Sequence, residues 1–106
     1  MALYGIYGKH TPERCPWLNE EIGKMVIEYP DDIVEKMGKK YKINKIVGQY
    51  HSALEHTFLW IFDAEDPHLL QNFAEDTGVA KFNYLKFVPL ITIKEVVEGS
   101  KQRWGN

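Results

Sequence analysis

Four residues of this chain stand out because their side chains can bind transition metals or transfer protons: three of its four histidines and its single cysteine. They are His10, His51, His56 and Cys15. Imidazole nitrogens and a thiolate suit Zn²⁺ or a copper ion, so a site shared by these residues would be a metal centre. The sequence has no Cys-x-x-Cys or His-x-x-x-His pair, and the metal prediction therefore depends on the fold bringing distant residues together.

The same residues also allow chemistry without a metal. Cys15 stands at a predicted helix start, and a helix N-terminus beside a histidine stabilises a thiolate, which would make Cys15 a nucleophile. His10 or His56 could instead act as a general base. Residues that could orient a small organic ligand beside them are Tyr4, Tyr50 and Asn83. If the group has no function, the histidines hydrogen-bond one another or the backbone, and Cys15 is a small buried hydrophobic residue.

The elements that must position these residues follow from hydrophobic spacing and from turn residues. Strands are predicted where β-branched and aromatic residues alternate, over residues 2–10, 43–50, 56–63 and 82–91. Helices are predicted where apolar residues recur every three or four positions, starting near Trp17, Asp32, Pro67 and Thr92. Pro30 should end the first helix, Asp31 and Asp32 should cap the second, and residues 101–106 should form a tail.

This order of elements, β-α-(α)-β-β-α-β, predicts an α+β ferredoxin-like fold. Right-handed crossovers give a four-stranded antiparallel sheet of order 4-1-3-2, in which the first strand ends beside the start of the third. His10 should therefore lie next to His56. A turn over residues 52–55 would place His51 directly opposite His56. Cys15 leaves the same end of the sheet, which predicts one cluster there.

The third strand has two unlike faces, which bears on partners and ligands. Its aromatic face carries His56, Phe58, Trp60 and Phe62, and its aliphatic face carries Thr57, Leu59 and Ile61. We expect the helices to cover the aliphatic face and to leave the aromatic face free for an interface or a ligand cavity. Candidates for lining such a cavity are Tyr4, Gln49, Phe58 and Trp60. A second copy packed sheet to sheet would give a homodimeric α/β barrel with the histidines at its mouth.

Composition limits the class of protein. The 106 residues suffice for a single domain with one core. The net charge of −2, without a basic stripe, argues against nucleic-acid binding. No apolar run reaches the ~18–20 residues of a membrane span, and one cysteine permits no disulfide within the chain, so a cytoplasmic location is expected. No glycine-rich phosphate loop is present, so no nucleotide cofactor is expected.

Several short motifs resemble those of known proteins. The first strand leads into His-x-Pro-Glu-x-Cys-Pro and a nearby asparagine, formed by His10, Pro12, Glu13, Cys15, Pro16 and Asn19. Glu55-His56 opens the third strand, and Phe82-Asn83 precedes the fourth. In these respects the chain resembles the dimeric α/β-barrel superfamily, and more narrowly a small uncharacterised family with this motif. That superfamily includes cofactor-free monooxygenases, isomerases, haem-handling enzymes and ligand-binding regulators. The resemblance therefore implies a small-molecule enzyme or a binding or interaction module as alternatives to a metal protein.

Overall fold

The computed structural model describes residues 2–29 and 32–105, and within these ranges four strands form one antiparallel sheet. The strands are β1 (Leu3–Lys9), β2 (Ile43–Ser52), β3 (Thr57–Ala64) and β4 (Tyr84–Leu90). The helices are α1 (Glu20–Ile27), α2 (Ile33–Tyr41), α3 (Pro67–Asp76), α4 (Val79–Phe82) and α5 (Ile93–Trp104), with a 3-10 turn at Pro12–Arg14. The sheet order β2-β3-β1-β4 is the predicted order 4-1-3-2 read from the other edge, so the predicted fold class is confirmed. Pro30 and Asp31, which we expected to end α1 and to cap α2, lie outside the described residues.

The last helix is longer than the sequence analysis predicted. The side chain of Thr92 accepts a hydrogen bond from the backbone N of Glu95 at 3.1 Å, which confirms the predicted start of α5. The chain then stays helical to Trp104, because residues 101–103 are good helix formers. The prediction of a tail from residue 101 is therefore wrong.

The helices cover the aromatic face of the sheet. Phe62 is fully buried there, and its ring meets that of Phe73 in α3 with the centroids 5.7 Å apart. The neighbouring strands place Ile6 opposite Trp60 and Ile46 opposite Phe62, which enlarges the apolar surface on this side. Burying this face stabilises the fold more than burying the aliphatic face would, because each Å² of apolar surface removed from water contributes about 25 cal/mol. The prediction that the aromatic face stays uncovered is therefore wrong.

The other face of the sheet is the less covered one. Leu59 and Ile61 are half-buried on it, opposite Tyr7 and Gly5 of β1. Tyr7 is 42 % exposed, and Tyr50, which pairs with Leu59 from β2, is 63 % exposed. We call this surface the open face; it is formed by Leu3, Gly5, Tyr7, Lys9, Lys45, Gly48, Tyr50, Ser52, Thr57, Leu59, Ile61, Asp63, Tyr84, Lys86, Val88 and Leu90.

The hairpin between β2 and β3 differs from the predicted pairing. His51 lies opposite Phe58 and Ser52 lies opposite Thr57, so the loop comprises residues 53–56. The prediction that His51 and His56 face each other directly is therefore wrong. The turn is closed by the backbone N of Glu55, which donates to the hydroxyl of Ser52 at 3.1 Å.

Candidate functional site

His10 follows β1 directly, and backbone pairing fixes its position. Lys9 pairs with Thr57 in the β1–β3 ladder, and the backbone N of His10 then donates to the carbonyl O of His56 at 3.0 Å. This bond extends the ladder beyond the start of β3. The two imidazole rings consequently lie side by side, with their centroids 5.7 Å apart. The predicted proximity of His10 and His56 is confirmed.

Cys15 is positioned by the 3-10 turn and not by a helix N-terminus. Its backbone N donates to the carbonyl O of Pro12 at 3.1 Å, and its own carbonyl O accepts from the backbone N of Asn19 at 2.8 Å. The side chain of Asn19 caps α1, which begins only at Glu20. The prediction that Cys15 lies in the first turn of a helix is therefore wrong, and of the two features that favoured a reactive thiol only the neighbouring histidines remain. Cys15 is instead 1 % exposed.

His56 adopts a backbone conformation that is uncommon for a residue with a side chain. Its φ of 56° lies in the left-handed region, which costs roughly 1–3 kcal/mol for such a residue. The carbonyl O of His56 accepts the bond from His10, while its side-chain Nδ1 is buried. Lys42 has the same conformation at the end of α2, so at His56 the left-handed backbone reflects the closure of the hairpin.

The side chains of His10, Cys15 and His56 converge. One possible ligand atom from each lies within 4.8 Å of the other two. Two nitrogen or sulfur ligands of one tetrahedral Zn²⁺ are about 3.3–3.8 Å apart, as follows from bond lengths of about 2.0–2.3 Å. Side-chain movements of about 1 Å would therefore close the group around an ion. The cluster could bind a metal.

Asn83 orients the ring of His10. The Nδ2 of Asn83 donates to the carbonyl O of Val79 at 3.1 Å, so its Oδ1 is the atom that faces the Nδ1 of His10, at 2.8 Å. An amide oxygen only accepts hydrogen bonds, so Nδ1 of His10 carries the proton. The lone pair is then on Nε2, which is buried and has no hydrogen-bond partner in the described part of the chain. Metal-binding histidines are commonly held by such a bond to the other ring nitrogen.

His51 lies next to the cluster but is not among its three converging residues. Its ring stacks on that of His10, with the centroids 5.3 Å apart and 26° between the planes. Partial burial lowers the pKa of His51, and repulsion from His10 and His56 lowers it further, so the neutral form is favoured. A neutral imidazole is the form that binds a metal or accepts a proton.

A cavity of about 290 Å³ lies beside the cluster on the aromatic side of the sheet. Its lining is mostly apolar and includes Phe58 and Trp60, two of the four residues predicted to line a cavity. The other two lie elsewhere, because Tyr4 packs against the core and Gln49 is exposed. Tyr29 also lines the cavity. The three-residue spacing of Tyr29 from Val26 is typical of a packing residue on a helix, and the sequence offers no other signal for its place in the cavity wall.

The fold and the site together define an α+β protein of ferredoxin-like topology with a buried histidine–cysteine cluster at one end of its sheet. Comparisons with protein-family profiles, with curated proteins and with solved structures found no significant match. The resemblance noted above is therefore supported only by the sheet topology. Within residues 2–29 and 32–105, no helix has both the length and the apolar character that crossing a bilayer requires.

Proposed function

We propose that this protein binds a transition-metal ion through His10, Cys15 and His56. The observation that carries the proposal is a pair of buried ring nitrogens, Nε2 of His10 and Nδ1 of His56. Neither has a hydrogen-bond partner among the residues described, and both residues converge with the buried thiol. A buried polar atom without a partner costs about 1–3 kcal/mol, and one ion would satisfy both nitrogens.

The donor set indicates which ions fit. Two imidazoles and one thiolate suit Zn²⁺ or copper, whereas Mg²⁺ and Ca²⁺ prefer oxygen ligands. Three protein ligands leave one position of a four-coordinate ion open, which is typical of catalytic and not of structural zinc sites. His51, whose ring stacks on that of His10, is a protein group that can fill this position. A small exogenous molecule is the other candidate.

Titration of untagged, metal-free protein with Co²⁺ and Zn²⁺ tests the proposal. We expect about one equivalent per chain and the near-ultraviolet charge-transfer band of a cobalt–thiolate bond. Cys15→Ser should lose that band, since Cys15 is the only thiol in the chain. His68→Ala is the matched control, because His68 is exposed in α3 and outside the cluster. Uptake below about a tenth of an equivalent, or a band that survives in Cys15→Ser, would contradict the proposal.

We also propose that a second copy of the chain covers the open face, giving a homodimer of the α/β-barrel type. The support is the apolar character of Leu59 and Ile61 together with the exposure of Tyr7 and Tyr50 beside them. Contiguous apolar surfaces of this kind usually mark an interface. Lys45 and Asp63 pair across β2 and β3 on the same face, so a two-fold axis can place opposite charges against each other.

Ile61→Lys is expected to raise the dimer dissociation constant by at least ~100-fold, because the lysine ammonium would be buried without a partner. Sedimentation velocity over a range of protein concentrations measures this change. Ile27→Lys is the matched control, since Ile27 is 77 % exposed in α1 and outside the open face. A wild-type protein that sediments as a monomer throughout, or an equal effect of both substitutions, would contradict the dimer.

A further inference from the structure

The last helix of the chain extends away from the rest of the domain. No residue of α5 is buried, and the helix packs extensively against none of the other described elements. The radius of gyration is 16.0 Å and the long axis is 58 Å, whereas a compact domain of this length has a radius of gyration of about 13 Å. We call this projecting helix the α5 arm.

One side of the α5 arm is apolar. Ile93, Val96, Val97 and Trp104 fall within an arc of about 100° around the helix axis. All four side chains are exposed, that of Trp104 to 83 %. A helix of 12 residues is only marginally stable in water unless it packs on another surface. The apolar side of the arm therefore needs a partner that the described part of one chain does not supply.

The α5 arm continues the open face along the chain. β4 contributes Lys86, Val88 and Leu90 to the open face, and only Ile91 separates Leu90 from Thr92, the N-cap of α5. A molecule that covers this end of β4 on the open face therefore lies at the root of the arm. The second copy proposed above is such a molecule, and a two-fold axis would give each copy an arm reaching the other.

The open face by itself is small for a stable interface. Four strands of about seven residues cover roughly 23 Å by 19 Å, a footprint of about 440 Å² per copy, whereas a standard interface takes about 800 Å² from each partner. The arm is about 18 Å long and about 10 Å wide, which gives it a footprint of roughly 180 Å². Because each copy gives one arm and receives another, this area is added twice to each copy, and the interface reaches the standard size.

The charges on the arm distinguish between the arm and the body of the second copy as its packing surface. Lys94 and Lys101 lie on one flank of the apolar side, about 20° apart around the helix, and Arg103 lies on the other flank. In an antiparallel pair of arms about a two-fold axis, Lys94 would lie against Lys101 of the partner subunit, and like charges repel. The body of the second copy is therefore the better surface for the apolar side.

From these features we propose that α5 is an exchanged arm, which packs its apolar side on the body of a second copy and completes the dimer interface. The proposal rests on the homodimer proposed above and adds to it a part of each chain that the open face does not include. Ile93, Val97 and Trp104 would become buried on association. A dimer without the arm would keep the contact between open faces but would lose nearly half of its interface.

Sedimentation velocity over a range of protein concentrations tests the arm with a matched pair of variants. Val97→Lys places a charge on the apolar side, and Gln102→Lys places the same charge about 140° away around the same helix. We expect Val97→Lys to raise the dimer dissociation constant at least ~10-fold, because the ammonium would be buried without a partner, and Gln102→Lys to change it less than about threefold. Both positions are exposed in the single chain, so both variants should fold, which circular dichroism checks.

The surroundings of Trp104 give an independent measurement. With 5-fluorotryptophan in place of tryptophan, fluorine NMR gives one signal for each of the three tryptophans, and Trp104→Phe assigns the signal of the arm. We expect this signal to shift as the protein concentration rises through the dissociation constant of the dimer. In Val97→Lys the shift should need a correspondingly higher concentration.

The outcomes separate the arm from the homodimer on which it rests. A dimer that Ile61→Lys dissociates, but that Val97→Lys weakens no more than Gln102→Lys does, would overturn the arm and leave the open-face dimer standing. The arm is also overturned if the Trp104 signal does not change on dimerisation, or if Val97→Lys abolishes cosedimentation with phosphatidylserine vesicles while the dimer is unchanged. A wild-type protein that stays monomeric at every concentration would overturn the homodimer and the arm together.

Discussion

His10→Ala is expected to lower the affinity for Zn²⁺ by roughly 100- to 1,000-fold. Structural zinc binding in small domains is worth about 10–16 kcal/mol over four ligands, so one ligand accounts for about 2.5–4 kcal/mol. His10 should show this effect fully, because its Nε2 is buried and its ring is already oriented by Asn83. Little further ordering of the ring is needed when the ion binds. Competition with a chromophoric chelator measures the change in affinity.

A graded series of variants separates ligation from general damage to the fold. Asn83→Ala should cost less than His10→Ala, about 10- to 100-fold, because it removes the group that orients the ligand and not the ligand itself. Asn72→Ala, at an exposed position of α3, should have no effect. His51→Ala reports whether the fourth position belongs to the protein. A His10→Ala variant that binds Zn²⁺ as well as wild type, or a larger loss for Asn83→Ala, would show that His10 is not a ligand.

The sheet topology and the convergence of His10 with His56 could be predicted from the sequence. Alternating and helical periodicities identify the elements, and the handedness of crossovers leaves few arrangements of four strands. Once β1 is antiparallel to β3, the end of one must meet the start of the other. The proximity of the two histidines therefore follows from element order alone.

The side of the sheet that the helices cover could not be predicted with the same rules. Both faces of β3 are apolar, and the choice depends on what β1 and β2 add beside it. The register of β2 shifts at two places, between Ile43 and Lys45 and between Ile46 and Gly48. Such bulges move side chains from one face to the other and leave no clear pattern in a sequence.

Sequence patterns also do not predict the local path of the backbone at the cluster. Pro12 and Pro16 both suit the start of a helical turn, so the sequence does not decide whether α1 begins before or after Cys15. The left-handed conformation of His56 depends on the closure of the hairpin and has no signature such as glycine. The bonds of Asn83 to His10 and Val79 join distant segments and need coordinates.

Gly8→Ala is expected to destabilise the fold by about 1–3 kcal/mol and to lower the melting temperature by roughly 5–20 °C. Gly8 pairs with Phe58 across the β1–β3 ladder, and the phenyl ring lies over the position that a methyl group would occupy. The ring is held on one side by Trp60, so it can move only toward the cavity that both rings line. The methyl group must therefore displace either the ring or the backbone of β1. Thermal and denaturant unfolding measure the loss.

A second substitution tests whether the Phe58 ring causes this loss. Phe58→Leu shortens the side chain, so the double variant with Gly8→Ala should lose clearly less stability than the sum of the two single variants. Gly99→Ala is the control for adding a methyl group, because a Cβ at Gly99 in α5 would meet nothing within 4 Å, and it should be neutral or stabilise by about 0.5–1 kcal/mol. Additive single effects, or a Gly8→Ala variant as stable as Gly99→Ala, would mean that Phe58 does not lie over Gly8.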